Sequence, residues 1–408
     1  GDAFMKNAVM YGAGNIGRGF IGQLFSLSGY EVTFVDINEQ VVAQLQRDRS
    51  YPLYITRGDT YEKQCVEHVT GLLGKDPEAV GELIANADVM ATAVGVNVLP
   101  YIAEPIACGV RRRFQAGNRT PLNIIICENR LEADLYLRSL VSAHLSDEEQ
   151  AYFNEYFGLV EASIGRMVPA TPEDLRAENP LSVCVEEYCQ LPVDRDAFRG
   201  EIPDIVNLCP FSPFEFFIQR KLFMHNMSHA VTAYLGSLKG YTYIYEAALD
   251  PAVKLLSLQA LLESSQALSR AHGVDIRELI AHAEDLLYRF ENRLLGDTAL
   301  RVGRDTVRKL SANDRLCGAH RLCCEQGVRP VYIELGIAAA LLFSPEEDAA
   351  SQEVAAFARQ NGVAAALKKY GELTDADSVA RIETLYRMLD GQAALSEVTS
   401  YLELEKRK

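Results

Sequence analysis

Three polar side chains that suit proton transfer lie close together in the segment RKLFMHNMSH, namely Lys221, Asn226 and His229. An α-helix turns about 100° per residue, which would place them at roughly 0°, 140° and 80° around its axis, on one broad face. A lysine in a partly desolvated cleft loses its proton more easily and becomes a usable base near neutral pH. Asn226 would then donate to an alkoxide and His229 would orient a hydroxyl. The spacing alone fits an exposed lysine beside two polar helix residues even better.

The same segment also contains two histidines, His225 and His229, at the i, i+4 spacing of a zinc-binding helix. Asn226 stands where the motif H-E-x-x-H requires glutamate, and no convincing third ligand follows. We therefore expect no metal site, and any alcohol chemistry would have to be metal-independent.

A glycine-rich turn near the start of the chain predicts a dinucleotide site. Gly12, Gly14 and Gly17 form G-x-G-x-x-G between an apolar run and a helical pattern. The first glycine permits a tight turn, the second lets a pyrophosphate approach the backbone, and the third lets helix and strand pack closely. Asn15 and Ile16 lie at the helix N-terminus, whose free N–H groups face the pyrophosphate.

Asp36 supplies the context that a lone glycine motif lacks. It ends the next apolar run, EVTFVD, about 20 residues past the glycines, where a carboxylate accepts from the ribose hydroxyls and repels a 2′-phosphate. The sequence therefore predicts NAD as the cofactor. Val94 and Gly95 follow another apolar run and either contact the cofactor or form a simple strand-end turn. Arg18 and Asn15 either contact phosphate or face solvent.

The order of apolar runs and helical patterns predicts an α/β fold with two domains. Strands are expected near residues 7–12, 31–36, 87–94 and 122–129, with helices near 15–28, 39–47 and 98–113 between them, which indicates βαβ units and a parallel sheet. Beyond residue 200 nearly every pattern is helical, including 221–238, 252–272, 276–294, 331–343 and 377–389. We place the domains at 1–200 and 201–408.

Composition restricts the class of protein. The 408 residues carry a formal net charge of −16, which disfavours binding to nucleic acid or to an anionic membrane. We expect no transmembrane helix and no signal peptide. The nine cysteines include no C-x-x-C pair and mostly lie in apolar runs, which indicates buried free thiols and a cytoplasmic protein.

The chain resembles the polyol-specific long-chain dehydrogenases over nearly its whole length. The resemblance is carried by YGAGNIGRGFIG, TAVGVNVL, CEN, RKLFMHNMSHAVTAYLG and RVGRDTVRKLSANDRL, and the family signature K-x-x-x-x-N-x-x-H matches without a gap. It implies a Rossmann-type domain that binds NAD, a mainly α-helical domain that binds substrate, and an active site between them. Lys221 would be the general acid/base, Asn226 and Asn129 would hold the oxyanion, with Asn129 also beside the cofactor, and His229 would bind a substrate oxygen.

Two departures from the family pattern concern substrate preference. Gly165 precedes Arg166 where many members have an Asp-Arg pair, and Met224 and His225 replace small or β-branched residues. The expected consequence is an arginine interaction that is lost or supplied elsewhere, or a reshaped pocket.

A basic segment raises the question of a phosphorylated substrate. RVGRDTVRKLSANDR contains five basic side chains and two acidic ones in an acidic protein: the basic ones are Arg301, Arg304, Arg308, Lys309 and Arg315. Such a cluster would grip a phosphate. It would otherwise form a solvated face paired with acids such as Glu291.

Three functions stay open at this point. Resemblance in the basic segment favours a sugar-phosphate substrate. An unphosphorylated polyol or a hexuronate such as fructuronate or tagaturonate is the alternative within the family. A non-catalytic NAD-binding sensor is the third. We expect a monomer or a small homo-oligomer.

Overall fold

The computed structural model describes residues 5–408 and divides into two compact units, Gly1–Glu215 and Phe216–Lys408. The strands are β1 (Lys6–Tyr11), β2 (Tyr30–Asp36), β3 (Ser50–Arg57), β4 (Thr60–Glu67), β5 (Val69–Leu73), β6 (Val89–Thr92), β7 (Leu122–Ile126), β8 (Phe157–Glu161), β9 (Val183–Val185), β10 (Leu191–Asp194) and β11 (Leu208–Phe211). The N-terminal unit holds all of these strands.

A six-stranded parallel sheet in the order β5-β2-β1-β6-β7-β8 forms the centre of the N-terminal unit. Its helices are α1 (Gly22–Leu27), α2 (Glu39–Asp48), α3 (Pro77–Ala85), α4 (Leu99–Gln115), α5 (Ala133–Ser142), α6 (Asp147–Tyr156) and α7 (Glu173–Glu178). Alternate residues of β1 enter different cores, Met10 on one face of the sheet and Val9 on the other. Both faces are therefore covered, as in doubly wound folds.

Two smaller sheets were not expected from the sequence. One has the order β4-β3-β9, and the other pairs β10 with β11. Tyr51 on β3 is fully buried, and its hydroxyl donates to the carbonyl of Arg18 at 2.6 Å. The smaller sheet containing β3 thus supports the start of the first helical segment.

The C-terminal unit is helical. Its helices, the first of which begins at the boundary, are α8 (Glu215–Arg220), α9 (Met227–Leu238), α10 (Ile244–Leu249), α11 (Pro251–His272), α12 (Ile276–Phe290), α13 (Ala299–Gly303), α14 (Thr306–Lys309), α15 (Cys317–Glu325), α16 (Val331–Leu342), α17 (Ala349–Asn361), α18 (Val363–Gly371), α19 (Ala376–Asp390) and α20 (Leu395–Arg407). Every residue of α16 is buried, as expected for a helix that is apolar on all sides and packs among α9, α11 and α19.

The predicted fold class is confirmed, with a parallel sheet followed by a mainly helical unit. Two predicted α-helices differ in their first turns. Residues Gly17–Ile21 form a first π segment before α1, and Lys221–Asn226 form a second π segment between α8 and α9. Within residues 5–408, no helix has both the length and the apolar character that crossing a membrane requires.

Candidate active site

The glycine turn has the geometry that its motif predicts. Gly12 has φ +107°, and its N–H donates to the carbonyl of Val35 at 2.8 Å. A Cβ on Gly17 would lie 2.1 Å from the carbonyl oxygen of Gly12, so only glycine permits this close packing. A Cβ on Gly14 would have no heavy atom within 4 Å. The backbone at Gly14 is therefore open to a ligand.

The helix after this turn begins with the first π segment. Gly22 donates its N–H to the carbonyl of Gly17, which is an i→i−5 bond. Asn15 is exposed and Ile16 is partly buried at the start of this helix. π segments often occur at functional sites, and here one directly follows the open turn.

Asp36 lies at the end of β2, half-buried. One carboxylate oxygen accepts the N–H of Ala13 at 2.8 Å, and the other accepts the N–H of Asn38 at 2.9 Å. A carboxylate has about four lone-pair sites, so each oxygen keeps capacity for a further donor. The backbone bonds thus orient the carboxylate without saturating it.

Arg18 does not face solvent. Its side chain is buried, Nε donates to the carbonyl of Ala13 at 2.7 Å, and a terminal nitrogen donates to the carbonyl of Leu181. Arg18 therefore fastens the turn to a distant part of the same unit.

Glu128 is a site residue that the sequence analysis missed. Its two carboxylate oxygens accept the N–H groups of Val94 at 3.0 Å and Gly95 at 2.8 Å. Burial raises the pKa of Glu128, and these backbone bonds oppose the rise. Gly95 is exposed with φ +93°, and Asn129 is exposed directly after Glu128. The acid in the motif CEN, next to Asn129 at a strand end, was the available signal.

Arg166 keeps a full set of contacts although Gly165 precedes it. The buried guanidinium donates to the carbonyl of Glu186 at 3.0 and 2.9 Å, to the carbonyl of Gly19 at 3.0 Å and to Gln23 at 2.7 Å. The interaction expected to be missing is thus replaced by carbonyls and an amide.

The second π segment changes the predicted arrangement of Lys221 and Asn226. Met227 donates its N–H to the carbonyl of Leu222, again an i→i−5 bond. A π turn holds more residues than an α-helical turn, so Asn226 lies closer in angle to Lys221 than an α-helix would place it. The separation of roughly 140° calculated for an α-helix was wrong for this pair because the backbone is not α-helical here.

His225 contacts the proposed base. Its Nδ1 lies 3.3 Å from Nζ of Lys221, and its ring is buried. Burial lowers the pKa of His225 far below its ordinary value, and the positive charges of Lys221 and Arg289 lower it further. His225 is therefore neutral, and its ring nitrogen lies within hydrogen-bond distance of Lys221.

The imidazole of His229 packs against the ring of Phe290, and one of its ring nitrogens faces the carboxylate of Asp297. It stacks on Phe290 with ring centroids 4.6 Å apart and an interplanar angle of 9°. Its Nε2 lies 3.8 Å from a carboxylate oxygen of Asp297, which Arg301 binds through two nitrogens. Burial lowers the pKa of His229 to about 3, although Asp297 opposes the shift. The imidazole is neutral and can donate or accept at neutral pH.

The five basic residues occupy different environments. Arg301 donates two hydrogen bonds to the carboxylate of Asp297. Lys309 is buried, and its ammonium donates to the carbonyl of Val302 at 2.5 Å. Burial lowers the pKa of Lys309 to about 7, and the charges of Arg315, Arg308 and Arg304 add to this shift. Arg304 and Arg308 are exposed. Lys309, Arg304, Arg308 and Arg315 therefore form one basic cluster, whereas Arg301 pairs with Asp297.

We call the continuous helical run over residues 215–238, which contains Lys221, the lysine helix. Arg315 connects the basic cluster with the lysine helix. Its charge acts on both Lys309 and His229, and its side chain is only 14% exposed. Nε donates to Asp314 at 2.8 Å, and Asp314 is its one ion-pair partner within residues 5–408. Glu291, the acid considered for pairing with this segment, instead pairs with Lys254.

The two histidines of the lysine helix have ring centroids 6.0 Å apart. Among residues 5–408, no group of three or more histidine, cysteine, aspartate or glutamate side chains is arranged to hold a metal ion.

Two protein-family models together match most of the chain. Residues 6–207 match the model of the mannitol dehydrogenase Rossmann domain, and residues 214–390 match the mannitol dehydrogenase C-terminal domain. A crystal structure of D-sorbitol dehydrogenase in substrate-free form aligns with TM-score 0.81 and 16% identity, covering 96% of this chain and 94% of that one.

Pseudomonas fluorescens mannitol 2-dehydrogenase, in a ternary complex with NAD and D-mannitol, aligns with TM-score 0.72 and 17% identity, covering 99% of this chain and 95% of that one. At these identities the two structures establish the shared fold. Because the two domain models together span residues 6–207 and 214–390, the chain belongs to the mannitol dehydrogenase family.

Proposed function

We propose that the protein is a mannitol-1-phosphate 5-dehydrogenase, which interconverts D-mannitol 1-phosphate and D-fructose 6-phosphate with NAD and without a metal. The observation that carries the phosphate specificity is Arg315, a largely buried guanidinium whose charge acts on both His229 and the basic cluster. The family supports polyol oxidation in general, and Arg315 supports the phosphorylated substrate.

The residues of the N-terminal unit fit NAD. Gly14 leaves the backbone open for a pyrophosphate, and Gly95 leaves open space at the end of β6. Asp36 keeps lone pairs for ribose hydroxyls and would repel the 2′-phosphate of NADP. When bound, the nicotinamide would exchange a hydride with the substrate carbon.

The lysine helix supplies the proton chemistry in this proposal. In the oxidation direction Lys221 takes the proton of the substrate hydroxyl at Nζ, and His225 accepts a hydrogen bond from that nitrogen. Asn226 and Asn129 donate to the oxygen as negative charge develops. His229, neutral and fixed against Phe290, binds a neighbouring substrate oxygen.

Arg315 would bind the phosphate through the two terminal nitrogens that its bond to Asp314 leaves available. Arg304, Arg308 and Lys309 add positive potential, since all three belong to the same charge cluster. Arg301 contributes differently, because it is already forked onto Asp297 beside His229. A phosphate near Arg315 would also align the sugar carbon, so its binding energy would lower the barrier.

The test compares kcat/KM for fructose 6-phosphate with that for fructose, fructuronate and tagaturonate, using NADH. Arg315→Ala should reduce the preference for fructose 6-phosphate over fructose by roughly 10- to 150-fold, the equivalent of about 1.5–3 kcal/mol for a charged hydrogen bond. Arg304, Arg308 and Lys309, each changed to alanine, extend the series. Arg277→Ala, at an exposed arginine of the same unit, should keep the wild-type ratio.

The unphosphorylated alternative is supported by the structural neighbours, which include a D-sorbitol dehydrogenase and a mannitol 2-dehydrogenase. A wild-type enzyme that turns over fructose or a hexuronate faster than fructose 6-phosphate would establish that alternative. Absence of turnover on the whole panel, with NADH still bound, would favour the sensor.

A further inference from the structure

A second set of reactive side chains in mutual contact lies in the C-terminal unit, outside the proposed active site. The sulfur of Cys324 lies 3.8 Å from Nδ1 of His320. The other ring nitrogen of His320 lies 2.8 Å from Glu334, and Arg381 binds both oxygens of Glu334 at 2.6 and 2.9 Å. Cys324 is exposed, whereas His320 and Glu334 are buried.

The backbone fixes this order of groups. His320 and Cys324 are four residues apart on α15, so their side chains lie on the same face of the helix. Glu334 is fully buried on α16 and orients the imidazole with Nδ1 towards the sulfur. A nucleophile, a base within reach and a third group that orients the base make up the arrangement of an activated nucleophile.

The charges around His320 favour its cationic form. Burial opposes that form, but the contacts with Cys324 and Glu334 raise the pKa of His320 to about 9. The charged groups facing this region are Glu334 on α16, Arg381 on α19, Asp375 before α19, and Glu263 and Lys406 on α11 and α20. A histidine next to an exposed sulfur is the setting in which cysteines act as nucleophiles.

We propose that Cys324 is a modification site, a reactive thiol that peroxides oxidise to sulfenic acid with the help of His320 and Glu334. The thiolate attacks one peroxide oxygen and forms an S–O bond while the O–O bond breaks. The leaving hydroxide takes the proton of the His320 imidazolium and departs as water. Sulfur is oxidised by two electrons and the peroxide is reduced. This reaction is independent of the dehydrogenase activity proposed above.

The chain offers an internal control, because Cys65 on β4 is the other exposed cysteine. Wild-type protein is pulse-labelled with iodoacetamide, and labelling at both cysteines is followed by peptide mass spectrometry. At pH 7 Cys324 should react at least about five-fold faster than Cys65, and the ratio should narrow at pH 9.5, where ordinary thiols ionise as well. The same ratio in urea-unfolded protein gives the intrinsic reactivities. A native ratio equal to the unfolded one at pH 7 overturns the proposal.

His320→Gln should bring the native ratio back to the unfolded value, with a thermal melt to check folding. One equivalent of hydrogen peroxide followed by dimedone should then mark Cys324 in wild type and in Cys65→Ser, but not in Cys324→Ser. Equal marking of Cys65 and Cys324, or fast labelling that survives His320→Gln in the folded variant, would contradict the role given to the histidine. The wild-type ratio decides the question if His320→Gln does not fold.

Discussion

Lys221 carries an amino group that can transfer a proton. Its Nζ also contacts the neutral ring of His225. Lys221→Ala should lower kcat by about 10²–10⁴-fold, the usual contribution of general acid–base catalysis. The fall in oxidation rate on the acidic side of the pH profile should disappear with it, because that fall reflects protonation of the base. Steady-state kinetics between pH 6 and 10 give both results.

The matched control is Lys75→Ala, since Lys75 lies in the other unit and pairs with the exposed Glu39. It should leave kcat unchanged. NADH titrations should give the same affinity for both variants as for wild type. Near-normal turnover of Lys221→Ala would show that another group moves the proton.

Asp36 accepts the N–H groups of Ala13 and Asn38, and in our proposal it also binds the ribose hydroxyls. Asp36→Asn keeps one acceptor oxygen and removes the charge, so it separates repulsion of a 2′-phosphate from support of the turn. We expect at least a ten-fold loss of discrimination between NADH and NADPH, since about 1.4 kcal/mol corresponds to ten-fold. Wild-type activity that is equal with both cofactors would exclude this role for Asp36.

At the scale of residues, the sequence predicted those positions whose chemistry follows from local spacing. The glycine turn and the place of Asp36 at the end of a strand belong to this group, while the roles of Asp36 and Lys221 stay predictions. It did not predict Glu128 or the burial of Arg18, because both depend on backbone brought from elsewhere, Val94 and Gly95 in one case and Leu181 in the other. No short-range pattern encodes such contacts.

The first helical element allows a test that separates packing from ligand access. A methyl group on Gly17 would collide with the carbonyl of Gly12, whereas one on Gly14 would enter open space. Gly17→Ala should therefore lower the melting temperature and weaken NAD binding. Gly14→Ala should leave the melting temperature unchanged within about 2 °C, since exposed substitutions usually change stability by less than about 0.5 kcal/mol. Yet it should still weaken NAD binding.

Thermal melts and NADH titrations of the two variants measure these effects side by side. Gly29→Ala serves as a third variant, because Gly29 also has open space but has φ +89° and lies at the end of α1, away from the turn. It should lose stability from backbone strain and keep its NADH affinity once folded. If Gly14→Ala binds NADH like wild type, the pyrophosphate does not pass over Gly14.

The element scale is also where sequence reasoning was least complete. Hydrophobic spacing identified helices around both π segments but not the extra residue in their turns, since the pattern of buried and exposed side chains changes little over one wide turn. The strands β3, β4 and β9 were missed because β4 is largely exposed and β9 has only three residues. Their pairing is decided by the core around Tyr51, not by local pattern.

On the scale of the whole molecule, the C-terminal unit holds several ionisable groups away from water. Burial lowers the pKa values of His225, His229 and His282. Burial also raises the pKa of Glu263 to about 7, although Lys406 opposes the rise. Since such groups take up protons differently in the folded and unfolded chains, they make the stability of the protein depend on pH.

The sign of this dependence follows from which state binds the proton. Below the ordinary histidine value of 6.5 the unfolded chain protonates all three histidines while the folded chain keeps them neutral, so the free energy of unfolding falls as pH drops. Glu263 acts in the opposite direction between its ordinary value of 4.5 and about 7, because there the folded chain binds the additional proton. The three histidines by themselves therefore lower the stability between pH 6.5 and 4.5, whereas Glu263 and Glu161, whose pKa burial raises to about 8, oppose that loss.

His282 isolates one histidine's contribution, because it lies on α12 outside the set of residues proposed for catalysis. Burial lowers the pKa of His282, and the charges of Arg220, Arg289 and Lys221 lower it further. His282→Gln cannot be protonated in either state, so its unfolding free energy should lose less on acidification than that of wild type. The difference between the two proteins should grow by at most about 1.4 kcal/mol per pH unit below pH 6.5, the limit for one proton.

Urea unfolding of the full chain at pH 7.5, 6.5, 5.5 and 4.5 measures this difference in unfolding free energy between wild type and His282→Gln. Between pH 7.5 and 6.5 the difference should change by only about 0.4 kcal/mol, because the protonated share of the unfolded histidine rises from roughly one-tenth to one-half over that interval. A difference that stays constant down to pH 4.5 would mean that His282 is protonated as readily in the folded protein as in the unfolded chain, and its surroundings would then have to admit water.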